Sequence, residues 1–242
     1  MPTAVAVIIG NEILSGKFRD ENSPWLATRC RELGIDLVRI HVIPDDAEVI
    51  AATVAAASAM ADLVFTTGGV GPTHDDMTMD GIARAFGVAL IRHPELEQTL
   101  RVRMAERLTP AALRMAEVPE GAVLWRSKGM RFPQVVMRNV LIFPGVPRLL
   151  RMKFDAIASR LGRGAPVLGS RLVTTAAETD IAAALTDMQR AHPLVEIGSY
   201  PQFDEKPYTV TVTLDSRDPS ALQACTIALR ALLADGLLEE AD

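Results

Sequence analysis

The sequence predicts an α/β protein built on a mostly parallel sheet, with a small α+β domain behind it. Three observations carry that expectation. Short apolar runs alternate with helical patterns through the first eighty residues, as βαβ units with right-handed crossovers require. Gly162-Arg163-Gly164-Ala165-Pro166 reads as a linker. The charge changes across it: from Arg171 onward five basic residues face twelve acidic ones, a net −7, against +2 for residues 1–170. The expected domains are 1–165 and 166–242.

Each element has its own warrant. Residues 4–9 (AVAVII) form the continuous apolar run of a strand buried on both faces. A polar loop covers residues 11–22. Ser23 and Pro24 read as the N-cap and first position of a helix. Trp25, Leu26, Cys30 and Leu33 follow at helical spacing, and Gly34 ends it. Residues 36–44 are a Val- and Ile-rich second strand. Residues 47–61 are an alanine-rich helix capped by Asp45 or Asp46. Residues 62–67 are the third strand, and a helix starts near Met77. Residues 95–116 read as one long helical stretch. Residues 122–125 and 135–143 are further strands, Pro144-Gly145-Val146-Pro147 stops the last, and 148–161 is a helix. In the tail, 171–175, 194–198 and 208–214 are strands. Helices fall at 180–191 and 220–233, the latter capped by Asp218 or Ser220, giving a βαββα order.

Composition excludes several classes. A chain of 242 residues, 49% hydrophobic and 23% charged, buries a core without staples. A net charge of −5 argues against a general polyanion binder. No run approaches the roughly 20 apolar residues of a membrane span. Met1-Pro2-Thr3 leads straight into the first strand without a basic leader. Cys30 and Cys225 read as reduced core thiols. The expectation is a cytoplasmic protein with no membrane and no nucleic-acid partner.

Open parallel sheets bind ligands beyond the carboxyl ends of their strands. Three polar loops stand there: Gly10-Asn11-Glu12-Ile13-Leu14-Ser15-Gly16, Pro44-Asp45-Asp46, and Gly68-Gly69-Val70-Gly71-Pro72-Thr73-His74-Asp75-Asp76-Met77-Thr78. In the third, three glycines in four positions let backbone amides approach an anion, and the helix that follows adds its positive dipole end. Phosphate fits that loop. Asp75 and Asp76 would repel it unless a divalent cation joined carboxylate and phosphate oxygens. The plainer alternative is a tight strand-to-helix turn with Asp75 or Asp76 as N-cap. A P-loop is rejected, because five residues separate Gly10 from Gly16 and Phe18 stands where Ser or Thr is needed. A dinucleotide-fold fingerprint is rejected, because His74 holds the place of its third glycine.

Residues 66–78 (TTGGVGPTHDDMT) resemble the signature of the molybdopterin-binding domains of MogA, MoaB and gephyrin. With Gly10–Gly16 and Phe143-Pro144-Gly145-Val146-Pro147, the closer similarity is to the N-terminal domain type of CinA, which also occurs fused to eukaryotic FAD synthases. The resemblance spans about residues 4–160. Ile197-Gly198-Ser199-Tyr200-Pro201 with 208–214 looks like the small domain that accompanies it. It implies a three-layer α/β/α sandwich binding a nucleotide or pterin phosphate through Gly10, Asn11, Glu12, Ser15, Gly16, Thr67, Gly68, Gly69, Gly71, Pro72, Thr73, Gly145 and Pro147. In MogA-like members two carboxylates serve adenylyl transfer to molybdopterin, and these match Asp45 and Asp76. CinA-type members are similar to metal-dependent pyrophosphatases that release AMP from ADP-ribose or FAD.

The expected chemistry is that pyrophosphatase, with Mg, Mn or Co. Asp76 is its principal metal-linked carboxylate, Asp75 a second metal ligand, and Asp45 assists catalysis. Binding or adenylylating molybdopterin is the alternative; a non-catalytic ligand-binding module is the second. Asn11 stands where related proteins often carry Asp, which removes a charge from the first loop. The chain is too short for the amidase or synthase domains of longer members, so their activities are not expected. Related domains form homo-oligomers, and the same is expected here. The tail resembles KH-like or ferredoxin-like arrangements. Its negative charge and its lack of a Gly-x-x-Gly clamp oppose RNA binding. His41, His93 and His192 read as ordinary, whereas His74 is a candidate phosphate contact. Met104, Met115, Met130, Met137 and Met152 read as core fillers. Arg126, Lys128, Arg131 and Arg138 flank a predicted hairpin, where they serve as a solvated face or meet a multiply phosphorylated ligand.

Overall fold

The computed structural model describes residues 1–202 and 209–241, and the chain divides into Met1–Gly164 and Ala165–Asp242. The N-terminal apolar run is β1 (Thr3–Ile9). Its Val5, Val7 and Ile9 enter one core while Ala4, Ala6 and Ile8 enter another, so the strand is buried on both faces. After it come α1 (Asn11–Leu14), α2 (Asn22–Leu33), β2 (Asp36–Ile43), α3 (Ala47–Met60), β3 (Leu63–Thr67) and α4 (Thr78–Phe86). The first unit continues with β4 (Leu90–Arg92), α5 (Pro94–Met104), α6 (Pro110–Leu113), β5 (Glu117–Pro119), β6 (Val123–Trp125), β7 (Gln134–Met137), β8 (Val140–Phe143) and α7 (Pro147–Ile157).

The main sheet has the order β2-β1-β3-β8-β7-β6. Its first four strands are parallel, and β7 alone runs against them, pairing antiparallel with both β8 and β6. Ile50 and Val54 of α3, Ile82 of α4 and Leu96 of α5 fill one core. Leu26 and Cys30 of α2 with Leu150 and Phe154 of α7 fill the other. The result is a mostly parallel α/β/α sandwich. The register pairs Ile9 with Ile43, Ile8 with Thr67, and Thr67 with Phe143. All four carboxyl ends therefore lie along one edge, and the loops after Ile9, Ile43, Thr67 and Phe143 meet there.

Several local expectations need correction. Residues 95–116 are not one helix. Pro110 lacks an N–H and biases Thr109 to the extended conformation it adopts, while Ala105 sits at φ +43. Single 3₁₀ turns, Ala105–Arg107 and Arg114–Ala116, fill the breaks. Strands β4 and β5 pair in a small antiparallel sheet too short to read from periodicity. Residues 135–143 are a hairpin turning at Arg138, φ +54, and Asn139. Ser23 is not the cap of α2. That helix starts at Asn22, and Asp20 accepts from the Asn22 and Ser23 amides at 2.9 and 3.0 Å. Asp46 caps α3, accepting from the Glu48 and Val49 amides.

The second unit runs β9 (Leu168–Thr174), α8 (Glu178–Ala191), β10 (Glu196–Gln202), β11 (Thr209–Ser216), α9 (Pro219–Leu232) and β12 (Leu237–Ala241). Its antiparallel sheet has the order β10-β11-β9-β12, the split-βαβ arrangement of ferredoxin-like domains. Strand β12 is an addition to the expected βαββα order. The expected strand start at Tyr208 lies outside the described residues. Val210, Val212 and Leu214 face Ile181, Leu185, Cys225 and Leu229 of the helices, and Asp218 caps α9. Cys30 and Cys225 are buried and free, and burial pushes the Cys30 thiol up to about 12. Among the described residues no helix is long and apolar enough to cross a membrane.

Candidate functional site

The third loop is built around backbone that no side chain could share. Gly68 has φ +107, and a Cβ there would stand 1.9 Å from the Ile9 carbonyl oxygen. Its N–H donates to Phe143 O and its own carbonyl accepts from the buried Thr78 hydroxyl at 2.8 Å. The Thr78 amide donates to Gly69 O at 3.0 Å, which closes the loop on the start of α4. The amides of Gly69, Val70 and Gly71 have no hydrogen-bond partner among the described residues. Consecutive unspent N–H groups at a loop-to-helix junction form an anion-binding concavity.

Carboxylates ring this concavity. A Cβ on Gly71 would lie 2.6 Å from Asp76 Oδ2, and one on Gly69 would lie 3.3 Å from Asp45 Oδ1. A Cβ on Gly10 would meet Glu12 Oε1 at 2.5 Å. Acid side chains thus lie against bare glycine backbone in two of the three loops. Asp76 does not cap α4, and neither does Asp75. The N-cap is Met77, without a side-chain bond, which removes the N-cap reading of both. Instead Asp76 Oδ2 accepts from the Thr73 amide and hydroxyl at 2.7 and 2.5 Å. The Thr73 carbonyl accepts from Arg114 Nη1 at 2.7 Å. In the second loop Asp46 is spent on its cap, so Asp45 is free for the site. Asp45 Oδ2 accepts from the Asn11 amide at 2.8 Å, tying the first and second loops together.

The charges feel one another. Partial burial raises the Asp45 carboxyl above its ordinary range. The Asn11 amide opposes that, and the charges of Glu12, Asp75 and Asp76 add to it. Asp75 is exposed and held below the usual range by the Thr73 hydroxyl and its own backbone N–H. A carboxyl whose folded pKa exceeds its unfolded one costs stability once the pH has risen through the folded value, and costs nothing below the unfolded value. Asp45→Asn should therefore stabilise the metal-free protein near pH 7 by under about 1 kcal/mol, after discounting for solvent screening. Near pH 3 the gain should vanish. Urea midpoints at both pH values check this; an equal shift at both would contradict the electrostatic account.

The structure places the other expected residues as follows. Thr67 is buried and its hydroxyl donates to Pro144 O at 3.0 Å. Pro147 opens α7, and Gly145 lies at the β8 end of the edge. The Ser15 hydroxyl donates to Glu12 O at 3.3 Å, and Gly16 takes φ +72 with open space around it, so both shape the turn. Pro72 carries the chain from the glycines into Thr73. The His74 side chain is almost wholly exposed, with Nδ1 4.0 Å from Asp75. Arg126 pairs with Glu95 at 2.8 Å, and Arg138 stacks on the Phe86 ring. Met152 is 48% exposed and does not fill the core.

Sequence reasoning missed three residues. Asn22, 6% exposed, donates from Nδ2 to Thr67 Oγ1 at 3.0 Å and to Gly145 O at 2.8 Å, and its buried Oδ1 has no partner. It locks the β3 and β8 loops together. Thr78 fastens the Gly68 carbonyl. Arg114 reaches the acid loop from 41 residues away. An Asn before Ser-Pro looks like turn punctuation, and nothing local to Arg114 announces its target.

Residues 5–163 match the family described as Probable molybdopterin binding domain, and residues 166–242 match the FAD synthase, middle domain family. A protein of Archaeoglobus fulgidus is 34% identical over 232 residues, covering 96% of this chain and 98% of the relative. A Probable FAD synthase of Caenorhabditis elegans is 33% identical over 259 residues, covering 96% of this chain but 50% of the relative. The chain thus spans about half the length of that relative. The crystal structure of CinA from Thermoplasma acidophilum, whose function is unknown, superposes with a TM-score of 0.60 at 29% identity. It covers 66% of this chain and 97% of that one.

Proposed function

We propose, proceeding from the fact that the chain belongs to the Probable molybdopterin binding domain family, that it is a metal-dependent nucleotide pyrophosphatase releasing AMP from ADP-ribose or FAD. One observation supports this reading above the rest. The three unspent amides of Gly69, Val70 and Gly71 stand beside Asp45 and Asp76, and the Asp45 carboxyl also feels the charges of Glu12 and Asp75. Amides alone would suit phosphate binding. Amides ringed by acids suit a phosphate that arrives with a cation. The donor set fits a hard cation, being carboxylate oxygen throughout. Among the described residues no group of three or more His, Cys, Asp or Glu side chains is disposed to hold a metal unaided. Asp75 and Asp76 would therefore hold the ion jointly with phosphate oxygens of the ligand. When bound, the cation supplies charge neutralisation on the anhydride.

The chain's own groups do the rest. The glycine amides hold one phosphate, and Thr73 fixes Asp76. Water attacks one phosphorus, the bond from that phosphorus to the bridging oxygen breaks, and the bridging oxygen leaves with the other phosphate. The water proton passes to a carboxylate. Asp45, whose Oδ1 lies beside Gly69 of the loop, is placed to accept it. This is catalysis by positioning and electrostatics without a covalent intermediate. Incubating the protein with Mg²⁺, Mn²⁺ or Co²⁺ and ADP-ribose or FAD should yield AMP. Folded protein that yields none with any of the three would sink the reading.

A further inference from the structure

A second cavity, of about 600 Å³, opens at the same sheet edge of the first unit. Val70 of the glycine loop and Pro144 of the β8 loop stand in its wall. It shares Val70, Met79 and Met115 with the smaller recess, about 230 Å³, that contains Gly69, Gly71 and Asp76. The two spaces are therefore neighbours across one layer of side chains, and the larger one begins where the phosphate loop ends.

Its lining combines two unlike components. The walls are largely apolar and include the Phe132 ring. Leu149 and Met152 of α7 line it while 43% and 48% exposed, so they hold apolar surface that nothing in the fold covers. Yet Arg103, Arg131, Arg148 and Lys153 line it as well. Among the described residues none of these four is in an ion pair, whereas Arg101 and Arg126 nearby in the chain are paired with Glu97 and Glu95. Four cations without an ion-pair partner among the described residues thus converge on one cavity. Lys153 donates to the Phe132 and Pro133 carbonyls at 3.1 and 2.8 Å, with Nζ 5.7 Å from the Phe132 ring centroid. Burial lowers it to about 8, so it stays mostly charged near pH 7 and an anion beside it would hold that charge to higher pH. Apolar walls with a few convergent charges are the makeup of a small-molecule site. An aromatic wall with arginines at its margin suits a flat, anionic ligand.

We propose that this cavity is the ring subsite of the nucleotide site: it takes a planar heteroaromatic ring whose attached phosphate lies between Arg148 of its wall and the adjoining glycine loop. The proposal rests on the reading of the glycine loop as the phosphate site, and its test is an equilibrium binding measurement with Mg²⁺ present and with monophosphates, which hold no anhydride to hydrolyse. An adenine ring and a flavin ring offer the same chemistry, so the titrants are AMP, riboflavin 5′-phosphate and, as the ringless control, ribose 5-phosphate. At least one ring-bearing phosphate should bind about 10-fold or more tighter than ribose 5-phosphate, and the tighter of the two identifies the ring.

Leu149→Trp places an indole in the cavity from a half-exposed position. It should weaken the ring-bearing ligands about 10-fold and leave ribose 5-phosphate unchanged. Met152→Trp should do the same from the next turn of α7, should the first variant fold poorly. Arg148→Gln should weaken all three. If ribose 5-phosphate binds as tightly as both ring-bearing ligands, or if both tryptophan variants leave AMP and flavin phosphate binding untouched, the subsite is wrong. AMP or flavin phosphate binding that Leu149→Trp blocks, in a protein that releases no AMP from ADP-ribose or FAD, keeps the subsite and removes the hydrolytic reading.

Discussion

Asp76→Asn should lower the rate of AMP release by about 10² to 10³ while leaving the fold intact, since losing one preorganised charge contact to the transition state typically costs that much. Asp76 is placed to carry the largest single effect. It lies against Gly71, within the same recess as the unspent loop amides. Its Oδ2 is fixed by Thr73, which leaves Oδ1 for the ligand side. Asparagine keeps an oxygen that accepts from the Thr73 amide, so the turn survives and only the charge is lost. Initial rates with each metal, beside circular dichroism and urea unfolding, separate the two effects. A variant that turns over like its parent would reduce Asp76 to a brace for the loop. The chemistry would then have to be sought at Asp45 and Glu12.

The recovery of this site from sequence was uneven, and the reasons are physical. The apolar run at Ala4–Ile9 and the glycines at 68, 69 and 71 speak locally. A strand buried on both faces must be apolar throughout, and a backbone that touches other backbone must be glycine. The loops that meet at the sheet edge follow from parallel pairing alone. The N-cap reading of Asp75 and Asp76 was plausible by propensity, and a competing local bond overrode it: Thr73 turns Asp76 back into its own loop, and α4 begins uncapped. As caps of α3, Asp45 and Asp46 were interchangeable in sequence, and the observed bonds give the cap to Asp46 and leave Asp45 tied to the first loop. Arg114 and Asn22 were invisible because their partners lie 41 to 123 residues away. The break at Thr109-Pro110 was readable but was outweighed by the helical periodicity on either side.

Gly68→Ala should be the most damaging single methyl in the first unit. Two costs add. A non-glycine residue at φ +107 is strained by about 1 to 3 kcal/mol. The added Cβ would also stand 1.9 Å from the Ile9 carbonyl oxygen, a backbone atom at the end of the central strand β1. Relief by movement is closed off. Gly68 is bonded to Phe143 on one side and to Thr78 on the other, and Gly145 lies against its Cα. The combined loss should exceed about 4 kcal/mol, a large share of the roughly 5–15 kcal/mol that holds a domain folded. Gly16→Ala provides the comparison. It has a positive φ of +72 but nothing within 4 Å of the new methyl, so it should cost only about 1 to 2 kcal/mol for the left-handed backbone. Urea unfolding of the two variants reads the difference directly. If Gly68→Ala unfolded within about 1 kcal/mol of Gly16→Ala, the clash with β1 would not exist. The glycine loop would then sit farther from the strand end than this site requires.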